Sequence, residues 1–190
     1  MKKVVWDLCS GLGGWSEAFV QDEWIVIRID DNPDLKHIPF THCFCIKQWS
    51  DWIQYFPKPD LILASPPCTE FTLAQNFHNA RSEDPDMDIL MACIDIIQVT
   101  KPKYWCIENV AGACRFFEPI LGKHTQRAGP FYLWGEFPYV ALDPSWTHNK
   151  EDKVKGPRSL RSNQRAKIPF EVSFKMLQAF YQQKTLEEYL

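Results

Sequence analysis

The groups in this chain best placed to do chemistry are a cysteine set behind two prolines and a glutamate forty residues further on. Pro66-Pro67-Cys68 comes just after the apolar segment Asp60-Leu-Ile-Leu-Ala64. Glu108-Asn109-Val110 ends a second apolar segment, Tyr104-Trp-Cys-Ile107. A thiolate is both a strong nucleophile and a good leaving group. A carboxyl in a buried, water-poor site keeps its proton and can act as an acid. The prolines stiffen the loop and fix where the thiol points, because each ring locks its own φ. Each apolar segment reads as a short buried strand that stops at a reactive group. Open α/β sheets assemble their sites at the carboxyl ends of strands, so thiol and acid are expected to face one ligand.

A glycine-rich turn adds a second kind of site. Asp7-Leu-Cys-Ser-Gly-Leu-Gly-Gly14 lies between the first strand and the first helix, where glycine permits a tight turn and close approach of a ligand to backbone N–H groups. Asp30 follows about twenty residues later at the end of the second strand, where a carboxylate can bind the two hydroxyls of a ribose. Only Gly11, Gly13 and Gly14 are present, which is not the dinucleotide spacing, so a single-nucleoside cofactor fits better. The alternative is that Asp30 and Asp31 merely cap a turn.

These groups need a scaffold that alternates strands with helices. Strands are expected at Lys3 to Trp6, Trp24 to Ile29, Leu61 to Ala64, Tyr104 to Ile107, Phe131 to Trp134 and Phe137 to Val140. Helices are expected at Trp15 to Val20, along the helical period Ile89, Leu90, Cys93, Ile96, Ile97, and from Val172 to Tyr189. Trp49, Trp52 and Phe56 are spaced for a short helix in an otherwise poorly patterned stretch, and Thr69 to Pro85 reads as a mobile loop. The alternation predicts an α/β fold: a mostly parallel sheet with helices on both faces.

Composition bounds the class. With 190 residues, 45% hydrophobic and 14% aromatic, the chain can fill one core, and a single domain over 1–190 is expected. No apolar run approaches the roughly 18 to 20 residues of a membrane span, and the short apolar start broken by Asp7 does not read as a secretory signal. Seven cysteines without disulfide-like spacing point to a reducing cytoplasm. His42-Cys43-x-Cys45 has no second ligand pair at zinc spacing, so no metal is expected. The net charge of −3 carries no overall nucleic-acid signature. Residues 147–168, however, hold Lys150, Lys153, Lys155, Arg158, Arg161, Arg165 and Lys167 against Glu151 and Asp152, a basic arm suited to phosphates or simply a solvated loop.

Taken together, the Gly-rich turn, Pro66-Pro67-Cys68 and Glu108-Asn109-Val110 resemble, in order and approximate spacing, the cytosine-5 DNA methyltransferases. The resemblance is good over residues 3–115 and looser beyond. It implies a Rossmann-like S-adenosylmethionine-dependent sheet. It also implies a catalytic set of Cys68 as nucleophile and Glu108 as its partner on the base, with Pro67 and Asn109, the latter bracing the two loops. Asp7, Cys9, Ser10, Gly11, Gly13, Gly14, Asp30, Asp31 and Pro66 would hold S-adenosylmethionine. Gln126-Arg127 resembles a later segment that contacts base and backbone, and Arg127, Arg158, Arg161, Arg165 and Lys167 would bind nucleic acid. The segment 168–173 loosely resembles the motif that completes the cofactor pocket.

Three departures stand out. Cys9 replaces an aromatic, and the acidic residue usual after the third strand becomes Cys45 or moves to Asp51. Fewer than thirty residues separate Val140 from Ile168, where typical members insert a target-recognition domain. The implied activity is cytosine-5 methylation of DNA with short or relaxed recognition, aided by a second copy or an accessory subunit. The alternatives are the same chemistry on single-stranded nucleic acid or a free cytosine nucleotide, or a catalytically silent relative that binds nucleic acid or a partner.

Overall fold

The strand segments are apolar on both faces because both faces are covered. The computed structural model describes residues 2–69, 71, 85–143, 145–148 and 160–187. Its strands are β1 (Val4–Leu8), β2 (Ile25–Asp30), β3 (Thr41–Cys43), β4 (Leu61–Ala64), β5 (Tyr104–Asn109), β6 (Gln126–Ala128) and β7 (Phe131–Glu136). The helices are α1 (Glu17–Gln21), α2 (Trp49–Trp52), α3 (Asp88–Thr100), α4 (Cys114–Leu121), α5 (Arg161–Ala166) and α6 (Phe170–Glu187). Among the described residues the strands form one sheet in the order β3-β2-β1-β4-β5-β7-β6. The first five are parallel, β7 is antiparallel to β5, and β6 is antiparallel to β7.

Successive strand residues alternate between two cores, as the pleat requires. Trp6, Leu8, Ile62, Ala64 and Ile107 pack on one side against Trp52, Leu90, Cys93, Ile96 and Phe117 from α2, α3 and α4. Val5, Leu61, Leu63 and Cys106 pack on the other side against Phe19, Val172, Met176 and Phe180 from α1 and α6. The mostly parallel α/β sheet with helices on both faces is therefore present. Chain order reverses between β1 and β4, which opens a crevice beyond their carboxyl ends.

Several local expectations are corrected. Phe137 to Val140 is not a strand. The partner of β7 is β6, which lies before it and bonds through Gln126↔Leu133 and Ala128↔Phe131. Gln126 instead holds the 137–140 segment by its side chain, donating to Val140 O and accepting from Val140 N at 2.7 and 2.9 Å. β3, α4 and α5 were not expected. β3 has only three residues and no alternating pattern, and α4 contains Pro119, which masks its helical character. The expected mobile loop over Thr69 to Pro85 falls largely outside the described residues. Among the described residues no helix is long and apolar enough to cross a membrane, and all seven cysteines are free thiols.

Candidate active site

The crevice at the β1/β4 reversal is a cavity of about 870 Å³. Its wall carries Cys68 and Glu108, together with Asp7, Cys9, Ser10, Gly11, Gly14, Asp30, Asp31, Pro66 and Pro67. Arg127, Arg165 and Lys167 also reach it. Three of the described residues singled out from sequence lie off the wall. Gly13 faces inward, and Asn109 is buried as a brace. Arg161 is exposed at the start of α5, away from the cavity, and Arg158 lies outside the described residues.

Cys68 and Glu108 are brought together by their loops. β4 and β5 are hydrogen-bonded neighbours with Ala64 beside Ile107, so the segments that follow leave the sheet side by side. Asn109 Nδ2 donates to Pro66 O at 3.0 Å, while its Oδ1 accepts from the Val110 N–H at 2.9 Å. One side chain thus ties the proline loop to the turn after Glu108. Glu108 is 7% exposed and Cys68 is half-buried, and both line the same cavity.

The glycine turn is held from beneath by Arg28, a residue that sequence reasoning passed over. Arg28 is only 5% exposed. Its guanidinium donates to Ser16 Oγ (2.8 Å), Pro39 O (2.9 Å) and Gly13 O (2.9 Å). Ser16 Oγ in turn donates to Asp7 Oδ2 at 2.6 Å. A Cβ on Gly13 would lie 2.4 Å from Arg28 Cζ, and Gly13 has φ +71°, so both space and backbone require glycine. An arginine inside an apolar strand was the available signal, since a buried guanidinium needs several acceptors. Gly14 packs against the other end of the chain: its Cβ would lie 2.3 Å from Ile168 O. Ser173 of α6 donates to Trp15 O (2.6 Å) and accepts from the Ala18 N–H (3.1 Å), which caps α1.

The two aspartates after β2 divide their roles. Asp30 Oδ2 accepts from the Gly11 N–H at 2.8 Å and Oδ1 from the Asn32 N–H at 3.0 Å, so Asp30 shapes the turn. Burial pushes its carboxyl up from the usual range. Asp31 is exposed on the wall of the cavity that Asp30 also lines. Cys45 lines the cavity where an acid is usual, and Asp51 does not. Trp15, Ser65, Lys47, Tyr132 and Asn163 are further lining residues. Lys167 is partly neutralised, its Nζ 2.8 Å from Glu17.

The pocket also suits a nucleoside cofactor. Four buried polar atoms of lining residues have no partner among the described residues: Asp7 Oδ1, Ser10 Oγ, Trp15 Nε1 and Ser65 Oγ. Each would cost about 1–3 kcal/mol if left so, which is the mark of a site completed by a ligand.

Residues 4–116 match the C-5 cytosine-specific DNA methylase family. The chain belongs to that family. Over 66 residues, 35% of its length, it is 30% identical to the type II methyltransferase M1.HphI of Haemophilus parahaemolyticus, covering 17% of that protein. Two similar solved structures are a mutant DNMT2 of Spodoptera frugiperda and the methyltransferase EhMeth of Entamoeba histolytica. The first has TM-score 0.47 and 22% identity, over 80% of this chain and 56% of the other. The second has TM-score 0.47 and 17% identity, over 80% and 58%. The chain thus spans under a fifth of M1.HphI and little more than half of either structure. Membership of the methylase family implies S-adenosylmethionine as methyl donor.

Asp7 carries a testable pH dependence. Burial raises its carboxyl from 3.8 to about 7, against the Ser16 hydrogen bond and the Arg28 charge. In the ligand-free protein this stabilisation is greatest below 3.8 and is lost as the pH climbs through about 7. A bound cation reverses the preference, because it favours the carboxylate. If the ammonium of S-adenosylhomocysteine meets Asp7 Oδ1, its binding should therefore tighten as pH rises toward 7, by roughly tenfold per unit, and then level off. Calorimetry on either side of pH 7 measures it. A flat profile, or one unchanged in Asp7→Asn, would remove Asp7 from the cofactor site.

Proposed function

We propose that this protein transfers a methyl group from S-adenosylmethionine to carbon 5 of cytosine in DNA, through a covalent adduct on Cys68, with short or relaxed sequence recognition. The observation that carries the reading is one cavity lined by Cys68, Glu108 and the glycine turn, in which Asp7 Oδ1, Ser10 Oγ, Trp15 Nε1 and Ser65 Oγ have no partner among the described residues.

Carbon 5 of cytosine is a poor nucleophile. Addition of the Cys68 thiolate to carbon 6 makes the ring enamine-like and shifts charge toward N3, where the Glu108 carboxyl supplies a proton. The cofactor supplies the electrophilic methyl. After the carbon 5 proton is removed, the sulfur leaves and the aromatic ring is restored. Pro66 and Pro67 fix the thiol, Asn109 keeps its loop against that of Glu108, and the Arg28-supported turn shapes the cofactor end.

A base inside a duplex must be turned out of the stack to reach such a pocket. Arg127, stacked over Tyr132 at 5.4 Å on the cavity wall, and Arg165 supply cationic contacts for the backbone. Only a short stretch separates Val140 from Ile168, so a second copy or accessory subunit would help to grip and open a duplex.

The test is methyl transfer from labelled cofactor to duplex DNA, single-stranded DNA, RNA and dCMP, with the product base identified. Label on carbon 5 of duplex cytosine, and a denaturant-stable complex with 5-fluorocytosine DNA, are expected. Label confined to RNA, single strands or dCMP would reassign the substrate. No label on any cytosine would favour a catalytically silent binding protein.

A further inference from the structure

Away from the cavity, three chemically different metal ligands converge beneath the β6–β7 hairpin. Cys114 opens α4, and Glu118 lies one turn later on the same face. Gly122, at φ +78°, ends the helix and turns the chain so that His124 comes back over that face. His124 Nδ1 lies 3.1 Å from Glu118 Oε1, and the candidate ligand atoms of all three residues lie within 4.8 Å of one another. The imidazole is held in place by edge contacts to Tyr132 (4.9 Å) and Trp134 (6.2 Å).

We propose that Cys114, Glu118 and His124 form a zinc site, in which Sγ, a carboxylate oxygen and an imidazole nitrogen occupy three positions and water the fourth. Bond lengths near 2.0 Å to nitrogen and 2.3 Å to sulfur place tetrahedral ligands about 3.3–3.8 Å apart. The observed spread therefore closes with side-chain rotation of less than about 1.5 Å per atom. A thiolate with an imidazole and a carboxylate selects zinc over magnesium or calcium, which take oxygen ligands. All three residues are only partly buried, so an ion can enter from solvent. A His–Glu pair alone would account for two of the groups and leave the nearby thiol without a role.

The position gives the ion a purpose. α4 follows the turn after Glu108 and Asn109, and His124 directly precedes β6 with Arg127. The ring on which His124 packs is Tyr132, over which Arg127 lies. Zinc would therefore clamp the hairpin bearing the cavity's arginine to the helix behind the catalytic acid.

The experiment uses the full chain stripped with a chelator and titrated with zinc, and separately with cobalt as a spectroscopic stand-in. One equivalent of zinc should raise Tm by several degrees, and cobalt should give a thiolate charge-transfer band. Cys114→Ser should abolish that band, and His124→Gln should weaken zinc at least about tenfold. S-adenosylhomocysteine binding and circular dichroism report separately that each variant is folded, and Glu118→Gln serves if Cys114→Ser is not. Absence of stoichiometric zinc binding, or a cobalt–thiolate band that survives Cys114→Ser, overturns the site. Neither outcome touches the methylation reading, which the labelled-donor assay tests alone.

Discussion

Serine in place of Cys68 is expected to lower methyl transfer by at least about a thousandfold, some 4 kcal/mol of transition-state stabilisation, while leaving cofactor binding within about twofold. The two residues are nearly isosteric, and position 68 is half-buried in a loop, so folding should change by under about 1 kcal/mol. The chemistry does not tolerate the exchange. A hydroxyl is far less ionised than a thiol near neutral pH and is a worse leaving group, so both formation and collapse of the carbon 6 adduct are slowed. Single-turnover transfer and covalent capture on 5-fluorocytosine DNA separate the possibilities. Loss of both with unchanged S-adenosylhomocysteine affinity is the expected pattern. Transfer that persists in the serine variant would remove Cys68 from the mechanism and move attention to the cofactor end of the cavity.

Alanine in place of Gly112 should damage both stability and rate, although Gly112 is no part of the chemistry. A Cβ there would lie 1.8 Å from Phe71 O and 3.0 Å from its carbonyl carbon. Both sides of the contact are backbone, so no side chain can swing away. Phe71 is fixed in turn: its N–H donates to Cys68 O at 3.0 Å, and its ring is 5% exposed between Phe116 (5.5 Å) and Phe117 (5.3 Å). Relief requires the Cys68 loop and the turn after Glu108 to part by more than about 1 Å. Overpacking of this kind costs about 3 kcal/mol, or roughly 6–12 °C in Tm for a chain of this size. Misplacement by 1 Å costs on the order of a hundredfold in rate. Thermal unfolding and steady-state transfer should both fall. A variant with wild-type Tm and rate would show that the two loops are not held by this contact.

The sequence carried the site better than the scaffold around it. The place of Cys68 and Glu108 at one cavity was legible because each follows a buried apolar strand, a pattern that depends on local chain alone. Asp7 to Gly14 was legible for the same reason. Arg28 was not, because its partners, Ser16 and the Gly13 and Pro39 carbonyls, are gathered only when β1 and β2 pair. The split between Asp30 and Asp31 depends on which carboxylate the Gly11 N–H takes, and adjacent identical residues give no hint of that. The 137–140 segment looked like strand because it is apolar, but Gln126 had already claimed its backbone groups. Cys114, Glu118 and His124 have no recognisable zinc spacing, since the glycine turn between the helix and the histidine is what brings them together.

The contact between Gly14 and Ile168, with the Ser173 bonds to Trp15 and Ala18, sets the order in which the pocket can come into being during synthesis. The glycine turn emerges from the ribosome before its far wall, which lies some 155 residues later. Until that stretch is made, a nascent chain can build β1, β2, β4 and β5 and still offer no closed surface to a nucleoside. Closing so long a loop is slow but adds little entropic cost beyond that of a shorter one. The cofactor therefore cannot assist the early stages of folding; it can only lock the product once both parts of the chain have met.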